Sequence, residues 1–583
     1  MTDEIETQHD VKEIFLVMQG GGAKGIAHAG GLIAIEEEEL VIKGIAGTSA
    51  GSIAAALVAA GYSGRDLADP TEKKHIFLRP PFGKKKGDLP YSKPTQLFTL
   101  QGWLILYLFK SFPGLLKRIL SPFTKMWGLM LWWCFLFGLP LGALIWVAVE
   151  MPEAFNAYST GLWRLVVHAA PWVVGLLITC LVWALWGLTS VRNIRKIIDL
   201  TLARKLSERL REVGIEKECN ITFEDMERVG CPPLKIIATN TATESLELFC
   251  AERTPDVAVA DAVAASICLP IIFKPKRLKF TRKTPFNDLP MTGTFLDGGL
   301  VSNLPAWALD EERLLHPGVP TIALSLSPPS PVNNKFWFAA LTGTVVNGSS
   351  EVHTRTPNKI LTVALTTRAT LLDFDLPAND VYEEVANARN RVRQELSIAL
   401  RGPSVLQAAV RGLYGELQTV FSLFQGSLFR GLAKNRLRVA IAVQRGSSMK
   451  TLSTAFTYGY RKDDPDGQLT VLLKDSHAGA AWGGKEVIAD DLRSGNPPRF
   501  TLSSSSWSDR TWILCLPIVF KPRPGRRARP FVFIIDCNMA FDRASPDFEE
   551  LYSEFCTSII LTAERYTGNM NLARYAQGAN TWL

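Results

Sequence analysis

Residues 15–32 read FLVMQGGGAKGIAHAGGL. An apolar, β-like run ends at Met18, the glycines follow, and a helical pattern begins behind them. Gly20, Gly22 and Gly25 satisfy G-x-G-x-x-G in the strand-to-helix setting that a dinucleotide fingerprint needs. The glycines present backbone N–H groups either to a nucleotide phosphate or to some other negative charge, and the rest of the chain has to separate the two. Residues 14–61 alternate strand, helix, strand, helix. Strand-like runs recur at 234–238, 271–273 and 321–326 with helical patterns between them, and the helical pattern 380–400 closes the unit. That alternation means an α/β fold around a mostly parallel sheet.

The next strand runs into Gly47-Thr48-Ser49-Ala50-Gly51, a match to G-x-S-x-G. LVIKGIA before it is β-like and SIAAALVAAGY after it is helical. A serine on so sharp a strand-to-helix turn is lifted clear of the backbone, and glycine lets the neighbouring chain pass close by. The helix N-terminus beyond offers partial positive charge to a developing alkoxide. Such a nucleophile needs a proton acceptor. The seven histidines are His9, His28, His75, His168, His316, His353 and His477, and none stands in a convincing position for that work. His28, on the helix after the glycines, reads as a packing or locally hydrogen-bonded residue. An aspartate serves better: GTFLDGGLVSNLP places Asp297 at the end of a β-like run, ahead of Gly298 and Gly299. A partly desolvated carboxylate at a strand end has a raised pKa and accepts a serine proton directly. Taken alone, D-G-G is only a turn.

In this order the three motifs resemble the patatin-like phospholipase family, which carries a G-G-G-x-[K/R]-G loop, G-x-S-x-G and D-G-[G/A]. Residues 261–275, DAVAASICLPIIFKP, are similar to the family's segment ahead of its aspartate. The likeness covers about 14–66 and 232–330 and weakens toward 400. It implies a three-layer patatin-like sandwich and a Ser–Asp dyad without histidine, needing neither cofactor nor metal. Ser49 attacks an acyl ester of a glycerophospholipid, and Asp297 acts as base and then as acid. Backbone N–H groups of Gly21, Gly22 and Ala23 hold the oxyanion. Gly20, Lys24 and Gly25 order that loop, and Gly47, Gly51, Gly298 and Gly299 support the two reacting residues. The alternative is a Rossmann-like nucleotide-binding membrane sensor. It wants an acidic residue at the end of the second strand, where this chain has Gly47-Thr48-Ser49; Glu36 to Glu39 come too early, and no G-x-x-x-x-G-K-[S/T] is present. A catalytically silent interaction protein is a third reading, and no motif position has decayed to suggest it.

The 583 residues allow two to four domains. An apolar fraction of 47%, a net charge of +8 and a mean hydropathy of +0.10 suggest lipid surfaces, and no nucleic-acid motif competes for the basic charge. Residues 126–149 carry no charge and 165–188 contain only His168, each about the length that crosses a ~30 Å hydrocarbon layer. Lys117, Arg118, Lys125, Arg192, Arg195 and Lys196 flank the pair on the outside, while the loop between holds Glu150, Glu153 and Arg164. The positive-inside rule then gives an integral membrane protein with a two-helix transmembrane hairpin inside an insertion at 101–196 and all other parts cytoplasmic. The nine cysteines form no C-x-x-C pair, which fits a reducing compartment, and the polar opening MTDEIETQHDVKE is no secretory signal.

Residues 1–13 read as a tail and 14–400 as the catalytic domain, with a boundary at Arg401-Gly402-Pro403. Beyond it come a helical pattern at 404–430, strand-like runs at 437–443, 451–458, 512–520 and 531–535, and a helix at 547–567. With the glycine-bearing segment 478–492, the unit 404–583 resembles a GAF-type sensing domain. That resemblance implies a small-molecule or protein regulator acting there. The sequence leaves oligomeric state open.

Overall fold

The computed structural model describes residues 13–76, 189–270, 272–327, 360–369, 376–429, 437–444, 450–460, 469–484, 487–492, 510–518 and 531–569, with Trp172, Leu572 and Tyr575. Strand β1 (Glu13–Met18) opens the chain, and a 3-10 turn (Gly22–Ile26) leads into helix α1 (Ala27–Glu37). Strand β2 (Val41–Thr48) runs into α2 (Ala50–Ala59), followed by the short α3 (Gly64–Leu67) and the two-residue strands β3 (Ala68–Asp69) and β4 (Lys74–His75). Description resumes before α4 (Arg192–Glu212) and α5 (Phe223–Arg228). Then come β5 (Leu234–Asn240), β6 (Ser245–Phe249), α6 (Val259–Ser266), β7 (Lys276–Lys283) and β8 (Asp288–Leu296). Helix α7 (Asp310–Leu315), β9 (Thr321–Ser327) and β10 (Ile360–Thr366) complete the sheet.

The eight strands pair in the order β10-β9-β1-β2-β5-β8-β7, with β6 on β5. The five from β10 to β5 are parallel, whereas β6, β7 and β8 pair antiparallel. Strand β1 reads as an unbroken apolar run because both its faces are covered. Ile14, Leu16 and Met18 enter the larger core with α1, α2, α4 and α6, while Phe15 and Val17 face a smaller core with Ala306 and Leu309. The mixed sheet fits the patatin-like α/β fold. Of the strand expected at 271–273, Ile272 and Phe273 fall outside the named strands, and Phe273 forms an isolated parallel bridge to Thr189. Three residues offer too little ladder to persist without a second bonded neighbour.

The second unit is an antiparallel sheet in the order β13-β12-β11-β16-β15-β14. Its strands are β11 (Leu437–Val443), β12 (Thr451–Tyr458), β13 (Thr470–Leu472), β14 (Ile488–Asp491), β15 (Trp512–Ile518) and β16 (Phe531–Cys537). The two units share helix α8 (Ala378–Leu423), which runs without interruption through Pro403. Val385, Ala388, Val392 and Leu396 bury in the first core, and Leu406, Val410, Leu413, Leu417 and Phe421 in the second. The Arg401-Gly402-Pro403 boundary read from the sequence therefore lies inside a helix. A proline removes one N–H donor and crowds the carbonyl four residues back, but apolar burial on both sides outweighs that cost. On the second sheet's other face packs α9 (His477–Gly484), while α10 (Phe548–Asn569) joins α8 on the first.

The localisation read from the sequence needs correction. Among the described residues no helix is long and apolar enough to cross a membrane, so an integral membrane protein with two spans is not supported. The runs 126–149 and 165–188 on which it rested lie outside the described residues, Trp172 excepted. Uncharged length makes a segment able to cross a bilayer, but hydropathy takes no account of protein surfaces that bury apolar residues equally well. The described cysteines are all free thiols.

Because one helix serves both cores, the wild-type chain is expected to unfold in a single calorimetric transition. Two glycines inserted between Gly402 and Pro403 should divide it into two.

Candidate active site

The G-x-S-x-G motif folds as a hinge between β2 and α2. Ser49 has φ +52° and ψ −125°, and caps α2. That region disfavours a residue with a β-carbon by about 1–3 kcal/mol, so the surroundings must impose it. Ser52 N–H and Ser52 Oγ–H both donate to the Ser49 carbonyl, at 2.9 and 2.6 Å. The glycines on either side permit the packing. A β-carbon at Gly51 would stand 2.3 Å from the Met18 carbonyl oxygen, and Gly47 pairs in the sheet with Met18 and Ile236.

Asp297 comes to the same place from 248 residues away, and Ser49 Oγ donates to its Oδ2 at 2.7 Å. It follows β8 and caps a 3-10 turn, Gly298–Leu300, where Gly299 N–H donates to Oδ1 at 2.7 Å. One carboxylate oxygen is thus anchored by backbone and the other faces the serine. Gly298 lies flat against β5, where a β-carbon would meet the Ile237 carbonyl oxygen at 2.1 Å. Both Ser49 and Asp297 are buried. The Asp297 carboxyl is raised from its ordinary 3.8 to about 6, because desolvation pushes it up further than the hydrogen bonds from Ser49 and Gly299 pull it down.

The glycine loop borders the pair. Gly20 N–H donates to the Asn303 carbonyl at 3.1 Å, and a β-carbon on Gly20 would come within 2.9 Å of Ser49 Cβ. Lys24 N–H bonds back to the Gly21 carbonyl at 3.2 Å. Gly22, Ala23, Lys24 and Gly25 lie in the 3-10 turn, with Gly22 at φ +56°. The first N–H groups of a helical turn have no carbonyl behind them to bond, so Gly22 and Ala23 sit where a ligand oxygen would find donors.

His28 has the role its position suggested. Its Nε2 donates to the Gln19 carbonyl at 2.8 Å, and burial lowers its pKa to about 4, which keeps the ring neutral. His316 lies against the Phe15 ring and His477 bonds to Asp490. Sequence reasoning passed over Gln19, Ser266 and Asn303. Gln19 Oε1 accepts Leu326 N–H at 2.6 Å, tying the glycine loop to β9. Ser266 Oγ accepts Ser49 N–H at 2.8 Å. The serine inside DAVAASICLPIIFKP was the one available signal.

The sequence model of the patatin-like phospholipase family matches residues 16–124 and 176–310, which hold all three motifs. Through these residues the chain belongs to the patatin-like phospholipase family, and it is a hydrolase. The match pauses over 125–175 and resumes inside the second apolar run. The chain is 26% identical over 317 residues to the uncharacterized protein YqhO of Bacillus subtilis (strain 168), spanning 54% of this chain and 70% of that one. VipD from Legionella pneumophila aligns at 18% identity and a TM-score of 0.30 over 66% of this chain and 67% of VipD. The GAF domain of a two-component sensor histidine kinase from Bacillus halodurans aligns at 15% identity and a TM-score of 0.17, over 27% of this chain and 94% of that domain. Likenesses this partial leave the family match to stand alone, and the GAF-like reading is not confirmed.

Two outcomes are expected. Gly51→Ala forces a β-carbon into the Met18 carbonyl and should cost about 1–3 kcal/mol, read by chemical denaturation. The folded carboxyl of Asp297 titrates at about 6 and the unfolded one near 3.8. Between those values the folded state therefore holds the extra proton. The contribution of Asp297 to stability is greatest below pH 3.8 and is lost as pH rises through about 6. Asp297→Asn should flatten that dependence in thermal unfolding followed across pH.

Proposed function

We propose that the chain is a serine acyl hydrolase of phospholipase A type, cleaving acyl esters of glycerophospholipids with Ser49 as nucleophile and Asp297 as its base. The observation that carries this reading is the 2.7 Å hydrogen bond from Ser49 Oγ to a buried carboxylate. The serine proton passes to Asp297 Oδ2 as Oγ attacks the ester carbonyl carbon. The N–H groups of Gly21, Gly22 and Ala23 receive the negative oxygen of the tetrahedral intermediate. Its collapse breaks the bond to the alcohol, which leaves as lysolipid with the proton from Asp297, and an acyl-serine remains. Water then attacks the acyl carbon, Asp297 takes its proton, and Ser49 leaves with that proton as fatty acid departs.

A carboxylate can do histidine's work here because its environment moves it toward neutrality. A base is most effective when its pKa lies near the working pH, and desolvation brings Asp297 to about 6. The nucleotide-binding alternative is not favoured, since the end of β2 carries the serine where a ribose-binding acid belongs. The C-terminal unit, residues 404–583, acts as a regulator in this proposal, and α8, buried in both cores, supports that role.

Fatty acid released from phospholipid vesicles is the direct test. Ser49→Ala and Asp297→Asn should each lower the rate by at least about 10³-fold, and equal release by all three proteins would sink the dyad. A fluorophosphonate should label wild type and spare Ser49→Ala. In the wild type kcat/KM should fall as pH drops below about 6, where Asp297 becomes protonated.

A further inference from the structure

The segment DAVAASICLPIIFKP enters none of these steps, yet residues 266–268 touch both halves of the dyad. Helix α6 ends at Ser266. The Ser266 hydroxyl accepts Ser49 N–H at 2.8 Å and donates its own proton to the Ile237 carbonyl on β5 at 2.6 Å. Two residues on, the Cys268 carbonyl accepts Asp297 N–H at 2.8 Å. Ser266 and Cys268 have no solvent exposure. The same Ile237 carbonyl faces the bare Cα of Gly298, next to Asp297.

A serine hydroxyl has one proton to give and lone pairs to receive. With the proton committed to Ile237, a lone pair of Ser266 points at the Ser49 amide, and water is excluded from the contact. The bond holds the residue whose backbone lies at φ +52°. It acts on the backbone of Ser49, while Asp297 acts on the side chain.

We infer that Ser266 is a positioning residue for the hydrolysis: its hydroxyl pins the backbone of Ser49 to β5 and, with the Cys268 carbonyl two residues on, sets the spacing of nucleophile and base. This rests on the dyad proposed above. Ser266 touches neither the Ser49 Oγ nor the carboxylate, so its effect passes through geometry alone. A helix-end serine needed only for folding would change stability and leave the turnover of folded molecules untouched.

The experiment uses the full chain with Ser266→Cys, Ser266→Ala and Ser266→Thr, beside wild type and Ser49→Ala, on phosphatidylcholine–phosphatidylserine vesicles and with a fluorophosphonate. Cysteine keeps the size of serine but accepts hydrogen bonds weakly. Ser266→Cys should fold as wild type does by thermal unfolding, yet lose about 10- to 100-fold in kcat at unchanged KM, the penalty of a nucleophile displaced by a fraction of an ångström. Labelling of Ser49 should slow by the same factor. The midpoint of the pH profile should stay near 6, since the surroundings of Asp297 are kept. Ser266→Thr, which restores the hydroxyl, should recover most of the rate, and Ser266→Ala should be at least as slow as Ser266→Cys. Wild-type kcat per folded molecule in Ser266→Cys or Ser266→Ala overturns the inference and leaves the dyad intact. Undiminished hydrolysis by Ser49→Ala removes the dyad and this inference together.

Discussion

Ser49 occupies a left-handed backbone conformation that its side chain resists, and the surrounding fold supplies what holds it there. The amide is bonded by Ser266, the carbonyl by Ser52, and the hydroxyl by Asp297. Each partner comes from a different element: the end of α6, the first turn of α2, and the turn after β8. The packing of α2 against the end of β1 leaves no room for a side chain at Gly51, which ties the hinge to the centre of the sheet. The strain is small beside the burial of two cores, so the sheet can impose it. A serine so held has little backbone freedom, and its oxygen is aimed at the carboxylate of Asp297.

Burial decides the chemistry as much as aim does. In water Asp297 would be a weak base for a serine proton. Removed from solvent, with one oxygen held by Gly299 N–H, it rises to about 6 and keeps the other oxygen for Ser49. His28 shows the same force with the opposite result, because desolvation disfavours its cationic form and leaves a neutral ring fastening the Gln19 carbonyl. A single physical term, the cost of burying charge, thus makes a carboxylate more basic and an imidazole less so. The carboxylate becomes a better proton acceptor, while the histidine stays neutral and holds a backbone carbonyl.

Helix α8 extends the consequences beyond the first sheet. Its apolar residues recur at three- and four-residue spacing on both sides of Pro403, and each half is buried in a different core. Proline in the middle of a helix usually marks an end. Here Leu396 and Ala399 on one side and Leu406 and Val410 on the other are already fixed by packing, so the helix continues across it. The two units are joined by a rigid element, not by a linker.

The sequence by itself determined the elements whose identity rests on local pattern. The unbroken apolar run of β1, the strands 437–443 and 451–458, and the strand–serine–helix hinge all stand where they were read. The glycine spacings at 20–25, 47–51 and 298–299 were legible too, because only glycine satisfies the close approaches found there. What the sequence could not give depends on contacts between distant residues. Pro403 looked like a break between two helices, and one helix continues through it because its two sides are buried in separate cores. The apolar runs at 126–149 and 165–188 lie outside the described residues, Trp172 excepted. Ser266 went unread because its importance lies in a bond to an amide 217 residues away. Tertiary structure alone decided that Ser49 and Asp297 meet at 2.7 Å, since hydrogen bonding and desolvation act across space and leave no mark on the residues between.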